Sequence, residues 1–410
     1  MSNAPVTALP EVVVIETERA LAEAVERAAR APAIAVDVEA NGLFVYRPRL
    51  CTVQLAWEED GRSRVVVVDT LAVKAAALAP LLGPRGPIKV LHDLTFDARM
   101  LDEAGAPIAR ARDTSVAARM LGHQATGLAA VLAAELGVSV DKRFQQHDWS
   151  RRPLGAAELC YLGGDVAYLL ALDRALAAKA EAKDIAPEIE DECAHKLRAA
   201  VAPPRDGRPA YVRIKGAQKL AAVERAVLRR LVQARETAAE AADLPPFKVI
   251  GNEVLIELAR RRPRVHAELA QVQGALSGRA GRYASRWLEA IALGVNDRDI
   301  PPEDQVHFEP PRIDRAIAAR RRELESRISA FRRAEAAQRG VDEQAILPGH
   351  CAQDLADVLL SSSPGDPLLL ERIAAIPGLG ARRFERYGAI LASLIEPRRQ
   401  AAAGEGEREA

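Results

Sequence analysis

Cysteine is scarce in this chain: four residues in 410, Cys51, Cys160, Cys193 and Cys351, far apart and without metal-ligand spacing. That rules out a disulfide framework and a thiolate zinc site, and it reads as reduced thiols in a cytoplasmic protein. An excess of charge is also missing. The 57 basic side chains balance 57 acidic ones, and the pI is near 7.1. No global basic field advertises nucleic acid, so any such surface must be local. No stretch approaches the roughly 18 uninterrupted apolar residues of a membrane span, which predicts no membrane partner. Residues 1–11 have neither the positive cluster nor the apolar core of a secretion signal. Hydrophobic content of 49% and charged content of 28% are ordinary for a globular protein. At about 150 residues per domain, the length suggests two or three domains.

What the chain does have is a set of acids where a sheet could gather them. The run Ala33-Ile34-Ala35-Val36-Asp37-Val38-Glu39 ends a β-type apolar stretch with two carboxylates. Both lie on one strand face, because side chains alternate with period two. Like charges side by side repel unless a cation sits between them, and an unpaired buried charge is very costly. Asp97 follows the apolar 88–91 run, within His92-Asp93-Leu94-Thr95-Phe96-Asp97, and opens a helix. This places a third carboxylate at the C-terminal end of a strand, where open α/β sheets put their sites. Tyr161 and Asp165 are four apart in a predicted helix, hence on one face. Four acids and a tyrosine are what a two-metal phosphodiester-cleaving site needs.

Predicted strands at 33–38, 50–57, 64–69 and 88–92, then helices at 96–103, 114–121, 128–136 and 156–182, make residues 1–180 a layered α/β domain. Residues 181–214, with Pro203-Pro204-Arg205-Asp206-Gly207-Arg208-Pro209, read as a linker. Beyond it lie two small all-α units, 215–300 and 312–396, and a polar tail, 397–410, expected to be disordered. Each unit runs long helix, Pro-bearing turn, two short helices, closing helix, which suggests a diverged tandem duplication.

The segments Ala35-Val36-Asp37-Val38-Glu39, His92 to Asp97, and Tyr161-Leu162-Gly163-Gly164-Asp165 together resemble the three motifs of the four-acid 3′-to-5′ exonucleases, in their tyrosine branch. Within that group the chain is similar to the ribonuclease D family. Tyr46-Arg47-Pro48-Arg49-Leu50-Cys51, Asp148-Trp149-Ser150-Arg151-Arg152-Pro153-Leu154 and Ala210 to Gly216 resemble its further signatures. The helical units look like helicase-and-ribonuclease-D C-terminal (HRDC) domains. The resemblance implies a ribonuclease-H-like exonuclease domain followed by two small helical modules. Its implied activity is removal of nucleotides, one at a time, from the 3′ ends of RNA, chiefly transfer RNA precursors, by a monomer. A 3′-to-5′ DNA exonuclease and an inactive nucleic-acid-binding scaffold are the alternatives.

By the same resemblance Asp37, Glu39 and Asp165 hold one divalent ion, Asp37 bridges to a second assisted by Asp97, and Tyr161 orients the attacking water. Mg²⁺ or Mn²⁺, two per site, suits an all-oxygen ligand set. Gln54, His92, Trp149 and Arg152 are the candidate substrate-binding residues. Each has a structural alternative: a core hydrogen bond for Gln54, a backbone contact for His92, and sealing of the domain for Trp149 and Arg152. Locally basic runs occur at Arg260-Arg261-Arg262 and at Arg320-Arg321-Arg322. Ile376-Pro377-Gly378-Leu379-Gly380 resembles a glycine turn that grips a phosphate backbone, with a plain helix–helix turn as its equal. Relative to the family, Ala234 stands where tryptophan is usual before Arg235-Glu236.

Overall fold

The computed structural model describes residues 10–140, 143–203, 206–309 and 314–395; the tail at 397–410 and the first residues of the second helical unit lie outside these. Six strands form one sheet in the order β1-β4-β3-β2-β5-β6. They are β1 (Val12–Ile15), β2 (Ala33–Ala40), β3 (Leu50–Glu59), β4 (Arg62–Asp69), β5 (Ile88–Leu91) and β6 (Ala111–Asp113). Only β3 runs against its neighbours. Strand alternation sorts the side chains into two layers. Val36, Val38, Val53, Leu55, Val66 and Val68 pack beneath α1 (Glu18–Ala28) and α2 (Thr95–Glu103). Ala35, Ala56, Val65 and Val90 pack beneath α3 (Thr114–Met120), α4 (Leu128–Leu136) and the Tyr161-bearing region. Asp37 and Glu39 are in phase with Ala35, so they face this second layer.

The long helix expected at 156–182 is two, α5 (Ala156–Ala167) and α6 (Leu169–Ala182), parted at Tyr168 with φ −109°. The segment read as a linker needs a larger correction. It contains α7 (Ala186–Val201), with Pro187 in its first turn, where a missing N–H costs nothing. Ile189 and Cys193 of α7 are buried with Val116 and Met120. Lys196 Nζ lies 2.7 Å from both Asp93 and Asp113. That helix is part of the α/β domain's wall, not a spacer.

The first helical unit has α8 (Ala222–Ala241), α9 (Asn252–Arg261) and α10 (Ala284–Asp297). Tyr211, Val212 and Ile214, before the expected start at 215, already belong to its core. Trp287 fills that core fully buried, its indole N–H donating to the Ala280 carbonyl at 2.9 Å, while Ala234 lines a groove with Thr237, Ala290 and Leu293. The unit docks on the β2–β3 loop. Tyr46 N–H donates to Asp243 at 3.0 Å, Arg47 pairs with Glu240 at 2.8 Å, and the Lys248 ammonium sits 4.2 Å from the Phe44 ring centre.

The second unit has α11 (Arg315–Arg339), α12 (Gly349–Leu360), α13 (Leu369–Ala374) and α14 (Ala381–Ser393). It docks on α7 through Arg383, fully buried, which donates to the carbonyls of Glu188 at 3.0 Å, Ala345 at 3.1 Å and Leu379 at 3.2 Å. Arg386 pairs with Glu188 at 2.9 Å and with Asp184 at 2.5 Å. The glycine turn faces this junction rather than solvent. Gly378 abuts His195 and His350, whose rings stack at 3.8 Å, and Gly380 backs onto Asp191. A phosphate-gripping use of that turn is therefore excluded by what already covers it. At Gly380, φ is +79° and a Cβ would run into the Asp191 carboxylate. Gly380→Ala is expected to destabilise this docking by about 2 kcal/mol or more, seen as a lower melting temperature.

Candidate active site

The β2–β3–β4 register puts Asp37, Gln54 and Val67 in one cross-strand row and Glu39, Thr52 and Asp69 in the next. Helix α5 crosses this face and brings Tyr161 and Asp165 over the end of β2. Oxygens of Asp37, Glu39 and Asp165 all lie within 4.8 Å of one another, the one such acidic group able to hold a metal among the described residues. Asp97 comes from the opposite layer, at the start of α2. Strand β5 pairs with β2 only as far as Ala35, so the Val38 N–H has no partner from that strand. Asp97 Oδ1 accepts it at 3.0 Å, which holds the fourth carboxylate beside the other three.

Electrostatics make this cluster unstable as bare anions. Burial pushes Glu39 up to about 9, with Asp37, Asp165 and Asp97 adding repulsion. Burial raises Asp37 to about 7 and, with the Asp37 charge, Asp165 to about 8. Asp97 is raised well above the usual carboxylate range by burial and by Asp37. The Tyr161 phenol is pushed up by burial and by Asp165, so it stays protonated at neutral pH. A hard divalent cation relieves each of these penalties at once, and an all-oxygen set fits one. The residues present therefore suit the ion that their chemistry implies.

The four candidate substrate contacts are placed differently. Gln54 is fully buried beside Asp37, with its Nε2 donating to Thr52 at 2.9 Å. Both ring nitrogens of His92 are engaged, with Thr114 Oγ1 and the Thr126 carbonyl, each at 2.8 Å. Trp149 is 1% exposed and stacks on Tyr161, ring centres 5.6 Å apart. Its indole N–H is directed at Glu39 without closing a hydrogen bond of ordinary geometry. Arg152 pairs with Asp69 and donates to the carbonyls of Cys51, Trp149 and Arg151. The nitrogens of His92 and Arg152 are engaged within the fold, whereas Gln54 Oε1 and Trp149 Nε1 are buried without a closed hydrogen bond. Sequence reasoning missed Asp69 and Phe144, the latter edge-on to Tyr161 at 5.7 Å. The end of a Val-rich strand was the available signal for Asp69; Phe144 offered none.

Comparison with known proteins matches residues 12–181 to the family described as 3′-5′ exonuclease and residues 224–291 to the HRDC domain. Ribonuclease D of Gluconacetobacter diazotrophicus is 30% identical over 331 residues, covering 78% of this chain and 81% of that protein. This chain belongs to the ribonuclease D family. Ribonuclease D of Acidiphilium cryptum is also 30% identical, over 306 residues covering 72% and 76% of the two chains. Two crystal structures share the fold across nearly the whole chain. A Bifidobacterium adolescentis protein has a TM-score of 0.74 at 20% identity, covering 97% and 99%. Escherichia coli RNase D has a TM-score of 0.66 at 24% identity, covering 94% and 98%. As a ribonuclease D, the chain is a 3′-to-5′ exoribonuclease. Ribonuclease D catalytic domains are metal-dependent, and Asp37, Glu39 and Asp165 are the acidic cluster that this one presents.

Proposed function

We propose that this chain trims structured RNA, chiefly transfer RNA precursors, from the 3′ end, using two Mg²⁺ or Mn²⁺ ions held by Asp37, Glu39, Asp97 and Asp165. It works as a cytoplasmic monomer. The observation that carries the reading is the convergence of three acids from β2 and α5 on one point, with Asp97 fixed alongside. When bound, such ions stabilise charge on the attacking and leaving oxygens of an in-line displacement. Asp37 and Glu39, on one strand, set the ligand geometry rigidly, and α5 closes it with Asp165. The Tyr161 hydroxyl, directed at Asp165 and protonated, positions the attacking water by hydrogen bonding rather than by removing its proton. Attack of water on the phosphorus with rupture of the P–O3′ bond would release a nucleoside 5′-monophosphate and leave a 3′-hydroxyl on the shortened RNA.

Cations for the RNA strand come from the first helical unit. A groove of about 900 Å³ there is lined by Arg261, Arg262, Arg264 and Glu268 together with Val223, Leu288 and Ile291, and Arg261 also pairs with Glu257 at 2.5 Å. In the second unit Arg320 caps the Ile395 carbonyl at 2.9 Å, and Arg321 pairs with Asp357 at 2.5 Å and Glu325 at 2.9 Å. Two of the three arginines in that basic run are thus engaged within their own unit. A labelled RNA bearing a 3′ extension and the matching DNA, each with and without Mg²⁺ or Mn²⁺, test the reading. Metal-dependent shortening of the RNA is expected, and preferential shortening of the DNA would overturn the substrate assignment. Tyr161→Phe is expected to slow hydrolysis about a hundredfold while Mn²⁺ affinity, measured by calorimetry, stays the same.

A further inference from the structure

We propose that Asp69 is a positioning residue for the hydrolytic site: through Arg152 it holds Trp149 against Tyr161 and so fixes where the tyrosine hydroxyl points. This inference rests on the water-positioning reading of Tyr161 given above.

Asp69 ends β4 in the same cross-strand row as Thr52 and Glu39. It therefore stands two strands from Glu39, about 10 Å away between backbones at ordinary strand spacing, and its carboxylate is not part of the Asp37, Glu39 and Asp165 cluster. Asp69 is 4% exposed, so its charge needs a reason to be there. Its carboxylate accepts the Leu71 N–H at 2.9 Å and grips Arg152 in a fork, Nε at 2.5 Å and Nη2 at 2.7 Å. Burial opposes its ionisation, but Arg152 and the Leu71 N–H outweigh that and keep the acid below its usual range.

The rest of the guanidinium shows what the fork is for. Nη2 donates to the Cys51 carbonyl at 3.0 Å, and Nη1 donates to the carbonyls of Trp149 and Arg151, each at 2.7 Å. All of its N–H donors are engaged, and none remains for a substrate phosphate. One acceptor is the backbone of the very residue that lies on the tyrosine. Trp149 stacks on Tyr161 at an interplanar angle of 30°, and Phe144 meets the phenol ring edge-on at 63°. Aromatic pairs of this kind are attractive beyond their burial and favour particular ring geometries, which selects one orientation of the phenol. Asp69, Arg152 and Trp149 form a chain of rigid contacts from the far end of β4 to the phenol. The bidentate fork fixes the guanidinium plane from the Asp69 side, and the three carbonyls fix it from the other.

A double-mutant cycle on the full chain tests this, with kcat and KM measured on an RNA oligonucleotide in Mg²⁺. Asp69→Asn and Trp149→Phe are each made alone and with Tyr161→Phe. Expected is a loss of kcat of about tenfold for Asp69→Asn, with KM and Mn²⁺ affinity unchanged, shrinking to about twofold or less once the tyrosine hydroxyl is gone. An equal fractional loss in both backgrounds, or no loss in either, would overturn the proposal, because a purely structural pair does not depend on the hydroxyl. Should Asp69→Asn fail to fold by circular dichroism, Trp149→Phe, which keeps a smaller ring on the phenol, runs the same cycle with the same criterion. Full activity of Tyr161→Phe alone would overturn the reading of the tyrosine, and this proposal with it. Additive losses would leave that reading standing.

Discussion

Asp37→Ala is expected to reduce RNA hydrolysis by about a thousandfold or more while leaving the protein folded. The acid sits at the centre of the cluster. Its charge raises Glu39, Asp97 and Asp165 alike, so it is within electrostatic reach of all three. Removing it takes away the one group positioned to serve both proposed ions. Loss of several kcal/mol of transition-state charge stabilisation corresponds to about three powers of ten in rate. The fold should not suffer, because Val36 and Val38, not Asp37, pack into the opposite core, and deleting one like charge relieves repulsion. Single-turnover rates with Mg²⁺, together with a thermal melt in chelator, check both halves. Near-normal turnover would remove Asp37 from the mechanism, and a collapsed melt would make it a structural residue.

The second large effect concerns pH and metal. Acids whose pKa is higher in the folded protein than in the unfolded chain bind more protons when folded, so stability falls as pH rises. For Asp37, Asp165 and Glu39 the fall begins near pH 4, where the unfolded groups ionise. It continues until the folded groups have ionised at about 7, about 8 and about 9. Without metal, the melting temperature is therefore expected to drop steadily between pH 5 and pH 9. Saturating Mn²⁺ should reverse the drop, by about 5 °C or more at pH 8 and far less at pH 5.5, where protons already neutralise the acids. Asp37→Asn should flatten the metal-free slope. A metal-free stability that rises over this range would contradict the electrostatic account of the cluster.

How much of this was legible beforehand depended on whether a residue's role could be read without its neighbours. Strands β2 to β5 announce themselves as apolar runs, but β6 is only Ala111-Arg112-Asp113, too short and polar to carry a period. Strand β1, a four-residue edge strand, has no alternation to show, and α1 was missed although Thr17 caps it through its side chain. Helix α7 was hidden because it is buried on more than one side, with Cys193 under β6 and Glu188 under Arg386. That leaves no single apolar stripe. The acids of the site were visible because like charges crowded on one strand imply a common purpose. Of the residues read as substrate contacts, Gln54, His92 and Arg152 make internal hydrogen bonds that the sequence alone does not reveal. Sequence says that an arginine is close to a site; only coordinates say that its donors are taken.

Helix α7 also bears on where this protein can be cut. The exonuclease match stops at residue 181, before that helix begins. A fragment ending there would lose Lys196, and the wholly buried Asp113 carboxylate would be left without its cation. Val116 and Met120 would be left facing water. Such a truncation should yield a sticky, acid-loving protein, whereas one carried through Val201 keeps the wall on which the catalytic half closes.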